Sequence, residues 1–182
     1  RLVDGYTPLL SALHEGDLDV LSEIVPFLEP SHMQATTEES ITPLMLACEL
    51  QDVELTQKFI EIEADINAQD KEGYTALDRA LKHQSLATAG LLRETTLTPQ
   101  LMASIAQYAD EDMAHLLSAK HQLLAPCDES NVLISCVNAG NIPAAQIFLE
   151  PMLEKEILKP QEASATNLLK KALKNHFPLL TN

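Results

Sequence analysis

The 182-residue sequence has no Trp, and aromatic residues make up only 4% of it. A core must therefore be aliphatic, built from Leu, Ile, Val and Ala. Glycine is scarce as well, at five residues, which argues against a β-rich fold with many tight turns. Three cysteines, Cys48, Cys127 and Cys136, cannot form a fully paired disulfide framework, and no two stand at C-x-x-C zinc spacing. They point to the cytoplasm or another reducing compartment. No apolar run reaches the ~18 residues of a membrane span and no signal peptide is visible, so membrane insertion is not expected. Basic residues number 12 against 27 acidic ones, for a formal net charge of -15. A field of that sign repels phosphate, setting nucleic acid and anionic membranes aside, and favours a protein partner with a basic surface or one lying on a locally neutral strip. The same charge also serves simply to solvate the surface. Catalytic motifs are missing too: there is no G-x-S-x-G, no Gly-rich phosphate loop and no H-E-x-x-H.

Hydrophobic residues at 46% and charged residues at 21% nonetheless describe an ordinary folded chain. Its strongest pattern is internal repetition. Thr7-Pro8-Leu9, Thr42-Pro43-Leu44 and Thr75-Ala76-Leu77 start 35 and 33 residues apart. Thr is a good N-cap, and Pro suits the first helical position, where its missing N–H would be unsatisfied anyway. Thr7 to Glu15 reads as a first helix that Gly16 ends by taking a positive φ. Asp17 then caps a second helix with Leu18, Leu21, Ile24, Val25 and Leu28 on one stripe. A loop from Glu29 to Ser40 stands in place of a tidy hairpin. In the next unit Ala47 and Cys48 are small enough to let helices approach, and Gln51 occupies the turn position of Gly16, at a strain of about 1 kcal/mol. Asp52 caps the following helix, whose core residues are expected to be Val53, Phe59 and Ile60. In the third unit Gln84 replaces the turn glycine.

The junction Glu63-Ala64-Asp65-Ile66-Asn67-Ala68-Gln69-Asp70-Lys71-Glu72-Gly73-Tyr74-Thr75-Ala76-Leu77 resembles the join between two ankyrin repeats, a "GADVNA" tail meeting a "DxxGxTPL" head. The resemblance implies an all-α solenoid of about six stacked helix-turn-helix repeats with short β-hairpin fingers. Their approximate bounds are 2–30, 40–69, 70–94, 98–120, 129–159 and 164–182, within a single domain that reads as a fragment of a longer protein. Thr98-Pro99 opens the fourth unit only 23 residues after Thr75, a shortfall about the length of a hairpin finger. There Thr98 to Tyr108 and Asp110 to Lys120 are the expected helices. The fifth opens at Val132-Leu133, with Gly140 ending its first helix and Asn141 preceding Pro143 at the next N1. The pattern departs most in the fingers before repeats two and four.

The resemblance also implies a function: binding a partner protein, without catalysis, through fingertips and the exposed ends of the first helices, which line a concave face. Carried over residue by residue, that surface comprises Val3, Asp4, Tyr6, His14 and Glu15 in the first repeat, then Ile41, Glu49 and Leu50 in the second. The third supplies Lys71, Glu72, Tyr74, Lys82 and His83. Tyr6 and Tyr74 hold equivalent places before a Thr, where an exposed Tyr makes a good anchor. No catalytic residue, cofactor or metal is expected, and the chain is expected to act as a monomer. Acidic, divergent arrays of this kind are similar to those in effector proteins of intracellular bacteria, where they choose a catalytic domain's target. Three local readings stand beside these. A Cys–His pair, such as Cys136 with His121, would be a candidate nucleophile and base. Asn67 sits where ankyrin proteins often carry an Asn that oxygen-sensing hydroxylases modify, or else its side chain ties the hairpin backbone. The acidic groups Glu61, Glu63 and Asp65, and Asp110, Glu111 and Asp112, lack calcium-loop spacing, and the second fits a helix N-terminus. The alternative to a binding module is a structural spacer or oligomerisation segment.

Overall fold

The structure, a computed structural model, describes residues 7–118 and 132–154, the last six by their backbone alone. Among these residues every regular element is helical and no strand occurs. Contacts divide the chain into two compact units, residues 1–96 and 97–182.

In the first unit three helix pairs follow one plan. The first helices are α1 (Pro8–Glu15), α3 (Pro43–Glu49) and α5 (Ala76–Lys82), each preceded by a Thr. The second helices are α2 (Leu18–Ile24), α4 (Val53–Glu61) and α6 (Leu86–Leu91). Thr7 and Thr42 hydroxyls accept from the amides of Leu10 and Met45 at 3.2 and 3.3 Å. At Thr75 the Asp78 carboxylate instead accepts from both the Thr75 amide and its hydroxyl, each at 2.7 Å. Asp17 and Asp52 accept from Val20 and Leu55 amides at 3.1 and 2.9 Å, closing the starts of α2 and α4. Apart from the Thr75 hydroxyl bond, each satisfies a backbone amide at a helix start.

Between the helices of each pair stands a left-handed residue: Gly16 at φ 67°, Gln51 at 58° and Gln84 at 54°. The next amide reaches back to a carbonyl one turn inside the helix, Asp17 to Ala12, Asp52 to Ala47 and Ser85 to Ala80. This is the helix-ending pattern that glycine suits best, and both glutamines stand where the repeat pattern put them. Glu63 at φ 63° and Ser40 at 62° are two more strained positions. Each costs on the order of 1 kcal/mol. Packing outweighs that sum: Leu10, Leu13, Leu44, Met45, Phe59 and Leu81 are fully buried, each worth about 1.5–3 kcal/mol. Helix α3 packs against both α1 and α5, with Ala47 and Cys48 wholly buried.

Of the expected core residues, Ile24, Val25, Leu28 and Ile60 are only half-buried, and two more are exposed. Leu18 is 59% exposed and Val53 39% exposed. Each is the first residue of its helix, on the solvent side of the cap, and burial starts at Leu21 and Leu55 instead. The loop from Glu29 to Ser40 is also more ordered than the sequence suggests. It holds a 3₁₀ turn, Pro30–Gln34, that buries Met33, and then a finger tip. The Thr37 amide donates to Ile41 O and the Ser40 amide to Thr37 O, both at 3.0 Å. The tip of the third repeat repeats this: Asp70 N to Tyr74 O and Gly73 N to Asp70 O, also at 3.0 Å. The expected hairpins are thus hydrogen-bonded turns without strand pairing beyond them. The finger before repeat two keeps its tip because Thr37 stands in for Asp70 and Ser40 takes the left-handed place of Gly73.

The second unit uses the same devices. Its described helices are α7 (Pro99–Tyr108), α8 (Glu111–Ser118), α9 (Val132–Ala139) and α10 (Ile142–Glu154). Thr98 and Asp110 accept from Leu101 and Met113 amides at 3.0 and 2.9 Å, so Asp110, Glu111 and Asp112 do form a helix start. Gly140 is left-handed at φ 77°, and the Asn141 side chain accepts from the Ala144 amide at 3.2 Å. Pro143 is therefore the second helical residue, not the first. Asn141 Nδ2 donates to the carbonyls of Ala106 and Ala109 at 3.1 and 2.8 Å, pinning the start of α10 to the end of α7. The sixth expected repeat, 164–182, lies outside the described residues, as do His121 and Cys127.

Candidate functional site

The expected partner-binding residues fall at two kinds of place, finger tips and helix ends. At the tips, Asp70 does most of the ordering. Its Oδ1 accepts from the Glu72 and Tyr74 amides, both at 2.9 Å, which sets the turn that carries Lys71, Glu72 and Tyr74. Its Oδ2 accepts from Arg79 Nη2 at 2.5 Å, and Arg79 Nη1 donates to Glu49. Burial works against the Arg79 charge, but Asp70 and then Glu49 more than restore it, so its pKa is raised. Adjacent tips are joined directly: the Lys71 amide donates to Glu39 O at 3.0 Å, with a loose ion pair at 3.8 Å above it.

Helix ends supply the rest. His14 and Glu15, Glu49 and Leu50, and Lys82 and His83 stand at matching positions on α1, α3 and α5, immediately before the left-handed turn. His14, Glu15, Lys82 and His83 are exposed. Lys82 and His83 follow Arg79 by one helical turn and so share its side of α5. Through Arg79 the structure therefore gathers Glu49, the tip residues Lys71, Glu72 and Tyr74, and the outer end of α5. Glu49 is not a free contact, since it is committed to Arg79. Leu50 is half-buried and lies against the Gly16 turn, 3.4 Å from where a Cβ there would stand. Ile41 and Tyr74 are half-buried. Val3, Asp4 and Tyr6 lie outside the described residues.

Asn67 is exposed but engaged. Its Oδ1 accepts from the Thr96 amide at 2.7 Å and the Thr96 hydroxyl at 3.0 Å, while the Asn67 amide donates to Asp65 at 2.9 Å. The side chain ties backbone, as its position suggests, but that of the segment 29 residues on rather than its own hairpin. The two described thiols offer no ready chemistry. Cys48 and Cys136 are fully buried, and burial pushes both up to about 12. A thiol held that high is almost wholly protonated at neutral pH and a poor nucleophile. Among the described residues no three His, Cys, Asp or Glu side chains converge as metal ligands, and no helix is long and apolar enough to cross a membrane.

Sequence reasoning missed the Glu49–Arg79–Asp70 relay. Its one signal was an Arg nine residues after a turn Asp.

Comparison with known proteins accords with this geometry. The family profile of ankyrin repeats in three copies matches residues 9–102. The rat ankyrin repeat and SAM domain-containing protein 6 is 36% identical over 76 residues, covering 41% of this chain and 8% of the rat protein. The chain thus spans under a tenth of that relative. The human ASB11 ankyrin repeat domain superposes with a TM-score of 0.62 at 18% identity, over 80% of this chain and 69% of that one. A chain from the complex of the Bdellovibrio bacteriovorus predatory endopeptidase Bd0816 with immunity protein Bd3460 also gives 0.62, at 16% identity and 94% of both chains. At such identities the likeness concerns the fold alone. With half of its length matched by the profile and its helix pairs capped and turned at the repeat period, this chain belongs to the ankyrin-repeat family.

Proposed function

We propose that the chain is a non-catalytic module that binds a partner protein through the tip residues of its third repeat and the matching ends of α1, α3 and α5. Ankyrin repeats are in general protein–protein interaction modules. The observation that carries the finer reading is the Arg79 relay. It fixes a solvent-facing tip and a helix end against each other before any partner arrives. A surface ordered in advance loses less conformational freedom on binding, so more of its contact energy appears as affinity. Lys82 supports the same reading, having no ion-pair partner among the described residues. An acidic surface favours a partner with basic character. The chain's repeats also resemble arrays within much longer proteins, and a role in choosing the target of an effector's catalytic domain is part of this proposal.

The test is affinity capture with the chain and with a Tyr74→Ala, Lys82→Ala, His83→Ala variant whose helicity is checked by circular dichroism. A protein retained by the first and lost by the second is the expected result. Equal retention by both would refute the assignment of this face. Specific retention by neither would favour the spacer reading.

A further inference from the structure

We propose that a cleft of about 360 Å³, lined by none of the residues assigned to the face described above, takes a lysine or arginine side chain from a basic peptide. The cleft lies between the 3₁₀ turn Pro30–Gln34 of the first repeat and the segment that follows α4 in the second. Its volume falls within the ~300–1,000 Å³ of ordinary ligand pockets. Beside the neutral polar side chains of Gln34, Thr36 and Thr42, two kinds of surface meet in it. The floor is apolar: Met33 and Leu44 are buried, and Ala64 and Ala68 half-buried. The rim carries two exposed carboxylates, Glu63 and Asp65.

An apolar floor under an anionic rim matches one type of side chain. Lysine and arginine have an aliphatic stem that gains from apolar contact and a cationic head that must stay near water or a counter-charge. An apolar ligand would leave both carboxylates unanswered, and an acidic one would be repelled. No Lys or Arg of the chain pairs with Glu63 or Asp65 among the described residues. Asp65 spends one oxygen on the Asn67 amide. The surroundings reinforce the choice: residues 1–96 hold two thirds of the 27 acidic side chains but only half of the 12 basic ones. Glu63 also sits at φ 63°, where glycine would be more comfortable, so a carboxylate occupies the rim at a standing strain.

This inference rests on the chain being a binding module, and its test separates the two. The probes are a capped heptapeptide with one central arginine among glycines and serines, and its citrulline twin, which keeps the shape without the charge. They are titrated into the isotopically labelled chain while amide and methyl resonances are followed. The arginine peptide should shift the resonances of Met33, Ala64 and Ala68, and the citrulline peptide should not. Glu63→Gly should weaken binding about threefold to fivefold, the scale of one exposed ion pair. That variant is expected to fold more stably than the parent, so loss of binding cannot be ascribed to unfolding; Glu63→Gln serves as a second. Shifts scattered over acidic surfaces without these three residues would overturn the cleft. So would an unchanged affinity in both variants. Silence here, with a partner still captured through Tyr74, Lys82 and His83, would overturn the cleft and leave the binding module standing.

Discussion

Replacing Arg79 by Leu tests whether the relay holds the third-repeat tip. The change leaves Asp70, whose side chain is 4% exposed, with an uncompensated carboxylate oxygen. Removing one member of a buried ion pair ordinarily costs about 3–5 kcal/mol. Two effects reduce that here. Asp70 keeps its bonds from the Glu72 and Tyr74 amides, and Leu returns some apolar contact. Glu49, at 32% side-chain exposure, can be hydrated once released and contributes little. The net expectation is a loss of about 2–3 kcal/mol. Urea unfolding followed by circular dichroism measures the total, and hydrogen exchange places it. The Glu72 and Tyr74 amides should exchange at least about 30-fold faster, the equivalent of ~2 kcal/mol of easier local opening. Adding Asp70→Asn to Arg79→Leu removes the stranded charge while retaining an oxygen for the turn, so the double variant should be more stable than the sum of the single ones predicts. Additivity within about 0.5 kcal/mol would show that the two residues do not act as a pair and would refute the reasoning.

Other consequences follow from the turns, ties and thiols. Gln51→Gly and Gln84→Gly relieve left-handed glutamines and should each stabilise by about 0.5–1 kcal/mol, read as higher urea midpoints; Ala at either site should not. Asn67→Ala removes the acceptor of the Thr96 amide, and should cost about 1 kcal/mol and accelerate exchange of that amide, without affecting Glu72 or Tyr74. For Cys48 and Cys136 the neutral thiol is the form that burial favours, so the folded chain holds these protons more tightly than the unfolded chain. Their contribution is full below about pH 9 and lost as pH rises toward about 12. The Cys48→Ala, Cys136→Ala variant should show a shallower fall in stability across that window, and an equal slope would exclude the thiols as its source.

How legible this molecule is depends on whether a feature is local. Thr7, Thr42 and Thr98 each sit before a Pro, and cap and proline act within one turn of helix, so the helix starts at these residues can be read directly. Gln51 and Gln84 were identifiable as left-handed because the period aligns them with Gly16, even though glutamine itself gives no such signal. Leu18 and Val53 misled because apolar character marks a helix face but not where the cap turns that face outward. The finger at Thr37–Ile41 was hidden because it lacks the Asp and Gly of its counterpart at Asp70–Tyr74. The relay from Glu49 to Asp70 through Arg79 joins residues 30 and 9 positions apart, and no periodicity reports a contact of that kind. Glu49 therefore looked like an uncommitted side chain when it is paired with Arg79.

The charge balance links these observations. The chain has few cations, and the structure uses most of those in the first unit to hold itself together. Arg79 joins two elements, Lys71 joins two tips, and Lys58 and Arg93 pair with neighbours in sequence. Only Lys82 is left without a carboxylate among the described residues of that unit, and since these pairs take up scarcely more anions than cations, most of the acidic excess of the sequence stays unpaired. Attraction of the proposed basic partner would then have two ranges. Contacts at the rim act over a few ångströms, whereas the net field acts only within a screening length of ~10 Å at 0.1 M salt. Raising the salt should therefore slow association first and leave a well-seated cation comparatively undisturbed. If instead the dissociation rate carried the whole salt dependence, the field would be irrelevant to capture, and the acidic excess would be serving solubility alone.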